Sequence, residues 1–182
     1  MVQIAAPFVF LISVISVGIA TPLRRTVDQV QADIATISTK VTALDKAINA
    51  FPLTGGSLIA ALGIHNSAVT LIGTLKTATA DVIATGPLGE DDGRAVLSAV
   101  EAVEPIIDDS LIGIVAKKPA FQALPIGGLP ALILQDLTFL KGNTSAFSDA
   151  LIASAPADLV DEATTLRDDI VAAFDPAIAA YL

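Results

Sequence analysis

The sequence holds no cysteine, a single histidine and few aromatic residues, 4 % of its 182 positions. Without disulfides to staple a small fold, stability has to come from the size of an apolar core. The missing thiol and the lone His65 also remove the usual nucleophilic triads and zinc centres, which need several such side chains in one place. Basic residues are scarce as well: 10 Lys and Arg stand against 19 Asp and Glu, a net charge of -9. Nucleic acids and anionic membrane surfaces are held through basic patches that displace counterions, so neither is an expected partner.

Other catalytic patterns are missing too. Gly55-Gly56 and Gly127-Gly128 follow no strand-like run and lack the lysine of a phosphate-cradling loop. Asp168 and Asp169 are adjacent and diverge on a helix, whereas paired glycosidase carboxylates face each other across a substrate. Glu101, Glu104 and Asp108 share the face opposite an apolar seam and read as a solvated acidic stripe rather than a metal site. No reaction, cofactor or metal is expected. His65 reads as a satisfied core or rim residue.

What the chain has in excess is aliphatic surface, 53 % of its residues being apolar. The first charged side chain is Arg24, and before it Ile4 to Ile19 is almost wholly apolar, ending in Gly18-Ile19-Ala20. Small residues at those positions suit a signal peptidase, so residues 1–20 are expected to be a secretory signal and 21–182 one mature domain. The stretch is short for the roughly 20 residues of a membrane span and is broken by Pro7, Ser13, Ser16 and Gly18. No span is expected in the mature chain. Arg24-Arg25 is either a dibasic processing site or a solvated start to the domain.

The mature chain is patterned for helices. Val27, Val30, Ile34, Ile37, Val41, Leu44, Ile48 and Phe51 follow one another in steps of three and four, a heptad seam with Thr26 as N-cap and Pro52 as stop. A second helix from Ser57 to about Ala84 has its seam predicted at Leu58, Leu62, His65, Val69, Ile72, Leu75, Thr79 and Val82. A third, from Glu90 to Lys118, is expected to kink at Pro105, with Lys117 and Lys118 favouring its C-terminus and Pro119 ending it. Residues Pro119 to Pro130 hold too many breakers for regular structure. The fourth helix runs from Leu129 to Leu151, weakened at Gly142-Asn143, and the fifth from Asp158 to Tyr181 with a kink at Pro176. The expected fold is all-α, an antiparallel bundle of about five long amphipathic helices. Asn143-Thr144-Ser145 fits a glycosylation acceptor.

Apart from that patterning, five stretches carry a family likeness. They are the Val27 to Phe51 seam helix, the Ala116-Lys117-Lys118-Pro119-Ala120-Phe121 junction, the Leu137 to Leu151 stretch, and the Ala155-Pro156 break into a final Ile178-Ala179-Ala180-Tyr181 helix, together with the signal. In these the chain resembles the fungal hydrophobic surface-binding protein A and cell-wall galactomannoprotein family. The resemblance implies a secreted helical domain that adsorbs to hydrophobic surfaces, and in some members a bundle whose cavity holds a fatty acid. Wall-bound members usually carry a Ser/Thr-rich tail and a lipid-anchor signal, and neither is present before Tyr181-Leu182.

Three readings follow. The first is a secreted adsorption protein that coats hydrophobic solids and helps a partner hydrolase dock; the second is a soluble fatty-acid carrier; the third is a structural cell-wall mannoprotein. For the first two the apolar binding residues are expected among Ile37, Leu44, Phe51, Leu62, Val69, Ile107, Leu111, Leu137, Phe147, Ile170 and Phe174. Phe121 and Leu124 are added because the apolar Pro119 to Pro130 connection, hinged at Gly127-Gly128, could be a lid over one opening or a plain connector.

Overall fold

The structure, a computed structural model, describes residues 26–125 and 127–182. The expected signal 1–20, the Arg24-Arg25 pair and Ile126 lie outside them. The described residues form helices and no strand: α1 Val27–Ala50, α2 Leu58–Thr85, α3 Glu90–Glu101, α4 Glu104–Ala116, α5 Lys118–Gln122, α6 Leu129–Ser154 and α7 Val160–Tyr181.

Local chemistry sets the first boundaries. The Thr26 hydroxyl accepts from the Gln29 amide and the Ser57 hydroxyl from the Ala60 amide, each satisfying a donor that the first turn leaves without a partner. At the start of α6 the chain turns on Gly128, whose φ of +96° a residue with a side chain would adopt only under strain. Gly93 at the start of α3 serves a different need. A Cβ there would stand 2.7 Å from Pro156 Cδ, so its hydrogen is what lets α3 close on the turn before α7. The Leu88 amide donates to the Ser154 carbonyl at 2.8 Å and ties the same two regions together.

Four expectations need correction. The third predicted helix is two, α3 and α4, because the missing amide of Pro105 is tolerated in a first helical turn and not in an interior one. Pro119 likewise starts α5 instead of ending regular structure, again from the first turn of a helix. Lys117 and Lys118 do not serve their own helix: Lys117 Nζ donates to the Asn49 and Phe51 carbonyls at the end of α1, and Lys118 Nζ to the Ala180 carbonyl at the end of α7. Both cations neutralise the negative ends of neighbouring helix dipoles. α6 passes through Gly142-Asn143 without a break.

Packing is cyclic. α1 packs on α2, α2 on α6, α6 on α7, α7 on α4 and α4 back on α1. The α1 seam is buried throughout, from Val30 to Phe51. The Tyr181 hydroxyl, buried where α7 meets α4, donates to the Ile114 carbonyl at 2.7 Å, and burial pushes its pKa up.

Candidate functional site

A closed cycle of five helices leaves room at its centre, since the inward side chains of all five cannot reach a single axis. That room is a cavity of about 100 Å³, against the roughly 10–15 Å³ that one water needs. Its walls are Ile34, Ile37, Val41, Leu44 and Ile48 from α1, Ile64, Ala68, Leu71 and Leu75 from α2, and Ile107, Leu111 and Ile114 from α4. Opposite stand Ile133, Leu137, Leu140 and Phe147 from α6 with Ile170 and Phe174 from α7, while Val100 and Val103 flank the break between α3 and α4. Among the described residues, Ser110, Asp136, Thr144 and Ser148 are the polar members of that wall. A smaller space of about 40 Å³ adjoins it, sharing Val100, Ser148 and Ile170 and bordered by Arg167.

The polar groups are mostly engaged. Ser110 Oγ lies 2.8 Å from the Ile106 carbonyl and 3.3 Å from Asp45 Oδ1. Burial first, and then the neighbouring Asp109, raise the Asp45 carboxyl above its ordinary pKa. Arg167 is held at 2.7 Å by Asp149 and at 2.7 Å by Asp168, so its charge is already matched. Asp136 is buried, and its Oδ2 lies 2.8 Å from His65 Nδ1 on α2. Burial raises its pKa and the His65 bond offsets part of that rise. His65 thus has the satisfied partner expected of it, at the rim of the apolar interior.

Eight of the thirteen predicted apolar binding residues line this cavity: Ile37, Leu44, Ile107, Leu111, Leu137, Phe147, Ile170 and Phe174. The other five do not. Leu62 and Val69 face outward, 39 % and 49 % exposed, because the first half of the α2 seam lies one position before the predicted one, on Ala61, Ile64, Ala68 and Leu71, while Ile72, Leu75 and Val82 are buried as expected. Phe51 and Phe121 are fully buried in a separate contact, ring centroids 4.4 Å apart, and Leu124 packs against the same core. Phe121 and Leu124 therefore do not line the cavity wall. The wall residues that no predicted seam or site held are Ile64, Ala68 and Leu71, hidden by the register of α2, with Ser110, Asp136 and Ser148. Asp136 had one signal: a lone histidine facing an apolar interior needs a buried partner.

The outward face of α2 is a second apolar surface. Ile59, Leu62, Val69 and Ile83 are exposed there, Ile59 by 84 % and Ile83 by 68 %, and Lys76 and Asp81 are the only formally charged residues in 28. Among the described residues α2 is the one helix long and apolar enough to cross a membrane, although here it packs on α1 and α6. Asn143, half-buried on α6, donates its amide to the Phe139 carbonyl at 2.7 Å.

Known proteins share this arrangement. The sequence profile of the family described as hydrophobic surface binding protein A matches residues 27–153. Cell wall mannoprotein 1 of Aspergillus flavus is 25 % identical over 174 residues, 95 % of this chain, which spans 61 % of the length of that protein. The crystal structure of Afmp4p in complex with palmitic acid superposes with a TM-score of 0.79 at 34 % identity, covering 86 % of this chain and 99 % of Afmp4p. Ligand binding domain 1 of the Penicillium marneffei MP1 protein, complexed with arachidonic acids, has the same fold, with a TM-score of 0.75 at 19 % identity over 84 % of this chain and 95 % of that one. The profile covers the seam helix α1 and almost all of α6, and this chain belongs to the hydrophobic surface binding protein A family.

Proposed function

We propose that this protein is a secreted, non-enzymatic binder of long-chain lipids that takes an acyl chain into the cavity enclosed by α1, α2, α4, α6 and α7. The observation that carries the reading is the wall itself, aliphatic on all five helices with Phe147 and Phe174 added from α6 and α7, and interrupted at four polar residues. Water gains little in such a space, whereas each buried methylene of a ligand contributes about 0.8 kcal/mol. That Afmp4p, a relative at 34 % identity, is solved with palmitic acid supports a fatty acyl ligand here. In this reading α3 and α4 act as one rod, and the molecule is the antiparallel five-helix bundle expected from the sequence, bent at Pro105 and Pro176.

The test is native mass spectrometry of gently purified protein, before and after delipidation and reloading with palmitate. A one-to-one lipid adduct is expected. Protein that neither carries nor accepts a fatty acid would remove the carrier reading.

A second reading rests on the exposed stripe of α2 and on the family: adsorption to hydrophobic solids through Ile59, Leu62, Val69 and Ile83. Adsorption to polystyrene beads should hold or rise with added sulfate and fall with mild detergent, because the force is apolar. Loss of binding at high salt would count against it. A hydrolase partner has no support in the cavity, the outer face or the relatives. Glycosylation of Asn143 belongs to the secreted reading and predicts a mass difference removed by Asn143→Gln.

A further inference from the structure

The smaller space beside the central cavity is walled on one side by α3 and on the other by α6 and α7. Its origin lies in how α3 is held. α3 packs along α1, and its start is pinned to the turn before α7: Gly93 closes on Pro156, the Leu88 amide donates to the Ser154 carbonyl at 2.8 Å, and Arg94 pairs with Asp158 at 2.7 Å. Past that pinned end the facing wall carries the small side chains of Ala155 and Ala163, which leave a gap between Leu97 of α3 and Leu166 of α7. The room is about 40 Å³ against about 100 Å³ for the central cavity, an addition of about two-fifths. The two spaces meet at Val100, Ser148 and Ile170, which border both. Among the described residues the wall of this side chamber is apolar apart from Ser148 and Arg167, and the Arg167 guanidinium is taken up by Asp149 and Asp168. Such a wall offers a lipid head group no unmatched charge, while a hydrocarbon end gives up no hydrogen bond by entering.

Resting on the lipid-binding function proposed above, we infer that this side chamber is a tail subsite: it takes the methyl end of fatty acyl chains too long for the central cavity alone, and so sets the upper limit of chain length. The chain passes Val100 and Ile170 and ends against Ala163 and Leu166. Each methylene that enters leaves water and gains contacts with the wall, so affinity keeps rising with length until the chamber is full. Ala163 is the deciding position, because it borders the side chamber and not the central cavity and brings only a methyl group to it. Filling the chamber there removes about two-sevenths of the combined room, roughly five carbons from a chain the length of arachidate.

The test displaces a fluorescent acyl probe from full-length mature protein at neutral pH with laurate, myristate, palmitate, stearate and arachidate, each two methylenes longer than the one before. For wild type, affinity should rise at every step through arachidate, by about tenfold where both added methylenes are buried. Ala163→Phe should bind laurate within about threefold of wild type, at unchanged helicity, and level off at about palmitate, leaving arachidate about a hundredfold weaker than in wild type. A wild-type protein whose affinity is already level beyond palmitate overturns the inference without any variant and leaves the lipid-binding function standing. A folded Ala163→Phe that keeps the wild-type rise overturns it too. Should that protein not fold, Ala155→Leu narrows the same chamber from the turn before α7 and carries the same expectation. Displacement by none of the five acids removes lipid binding itself, and the tail subsite with it.

Discussion

α1 and α2 lie side by side and build adjacent walls of one cavity, yet they are made differently. The outer face of α1 is Asp28, Gln31, Thr36, Thr39, Lys46 and Asn49 interleaved with alanine, so only its seam of Val30, Ile34, Ile37, Val41, Leu44 and Ile48 has reason to be buried. α2 buries Ala61, Ile64, Ala68, Leu71 and Leu75 inward and also exposes Ile59, Leu62, Val69 and Ile83 outward, among Asn66, Thr70, Lys76 and Thr77. A one-sided helix can only be a wall. A two-sided helix can be a wall and a surface at once, which is how one molecule can present both a lipid cavity and an adsorbing face. Small residues on the inner side of α2 let it approach its neighbours closely and leave space that the branched seam of α1 does not fill.

The largest expected effect tests what lies outside both helices' shared cavity. Phe121→Ser empties the buried contact with Phe51 and should lower stability by about 3–5 kcal/mol, the range for removing a buried aromatic ring. At about 2–4 °C per kcal/mol for a chain of this length, the melting temperature should fall by roughly 10 °C or more. Palmitate stoichiometry measured well below that melting temperature should be unchanged. A variant with native melting but altered rate of lipid uptake would make the connection a lid.

Next comes the inner wall. Leu137→Trp directs a larger ring into the cavity and should weaken palmitate binding at least about tenfold, while overpacking costs stability about 1–3 kcal/mol at most. Adsorption to polystyrene should be retained. The complementary change replaces the outer stripe: Ile59, Leu62, Val69 and Ile83 all to Ser should reduce adsorption severalfold and leave palmitate binding intact. Exposed positions of this kind usually alter stability by no more than about 0.5 kcal/mol each. If both variants lose both activities, α2 does not divide the two functions and adsorption proceeds by opening the bundle.

The same contrast explains which parts of the molecule were legible in the sequence. α1 was read residue by residue, N-cap included, because polar residues marked its outer face and Thr26 had no other role. In α2 the period was visible and the phase was not: Leu62 and Val69 lie on as regular a heptad as Ile64 and Leu71, and no outward run of charge broke the tie. Most of the cavity wall from α4, α6 and α7 was legible for the reason that α1 was. The Pro119 segment was misread because prolines at the first turns of helices look, in sequence, like prolines that end them. Asp136 was invisible as a cavity residue, since nothing local says that a single acid between Gln135 and Leu137 faces in. Its pairing with His65 spans 71 positions and exists only once α2 meets α6.

The smallest effect concerns a charged flank of the ring that neither α1 nor α2 supplies. Glu104, in the first turn of α4, has its pKa raised above the ordinary glutamate value of 4.5, first by burial and then by Asp108, Asp169 and Glu101. A carboxyl that binds its proton more tightly folded than unfolded disfavours folding while it is ionised, so its penalty is full at neutral pH. As pH falls through the raised folded value the penalty shrinks, and below 4.5 it is gone. Glu104→Gln should therefore raise the melting temperature slightly at pH 7 and leave it unchanged below pH 4.5, the difference between the two proteins closing in the interval just above that value. A Glu104→Gln protein less stable than wild type at pH 7 would mean that the carboxylate is held by a favourable partner and that α4 needs its charge. Raised melting at pH 7 that persisted unchanged to acid pH would place the gain in packing against α7, with the like charges of Asp108 and Asp169 playing no part.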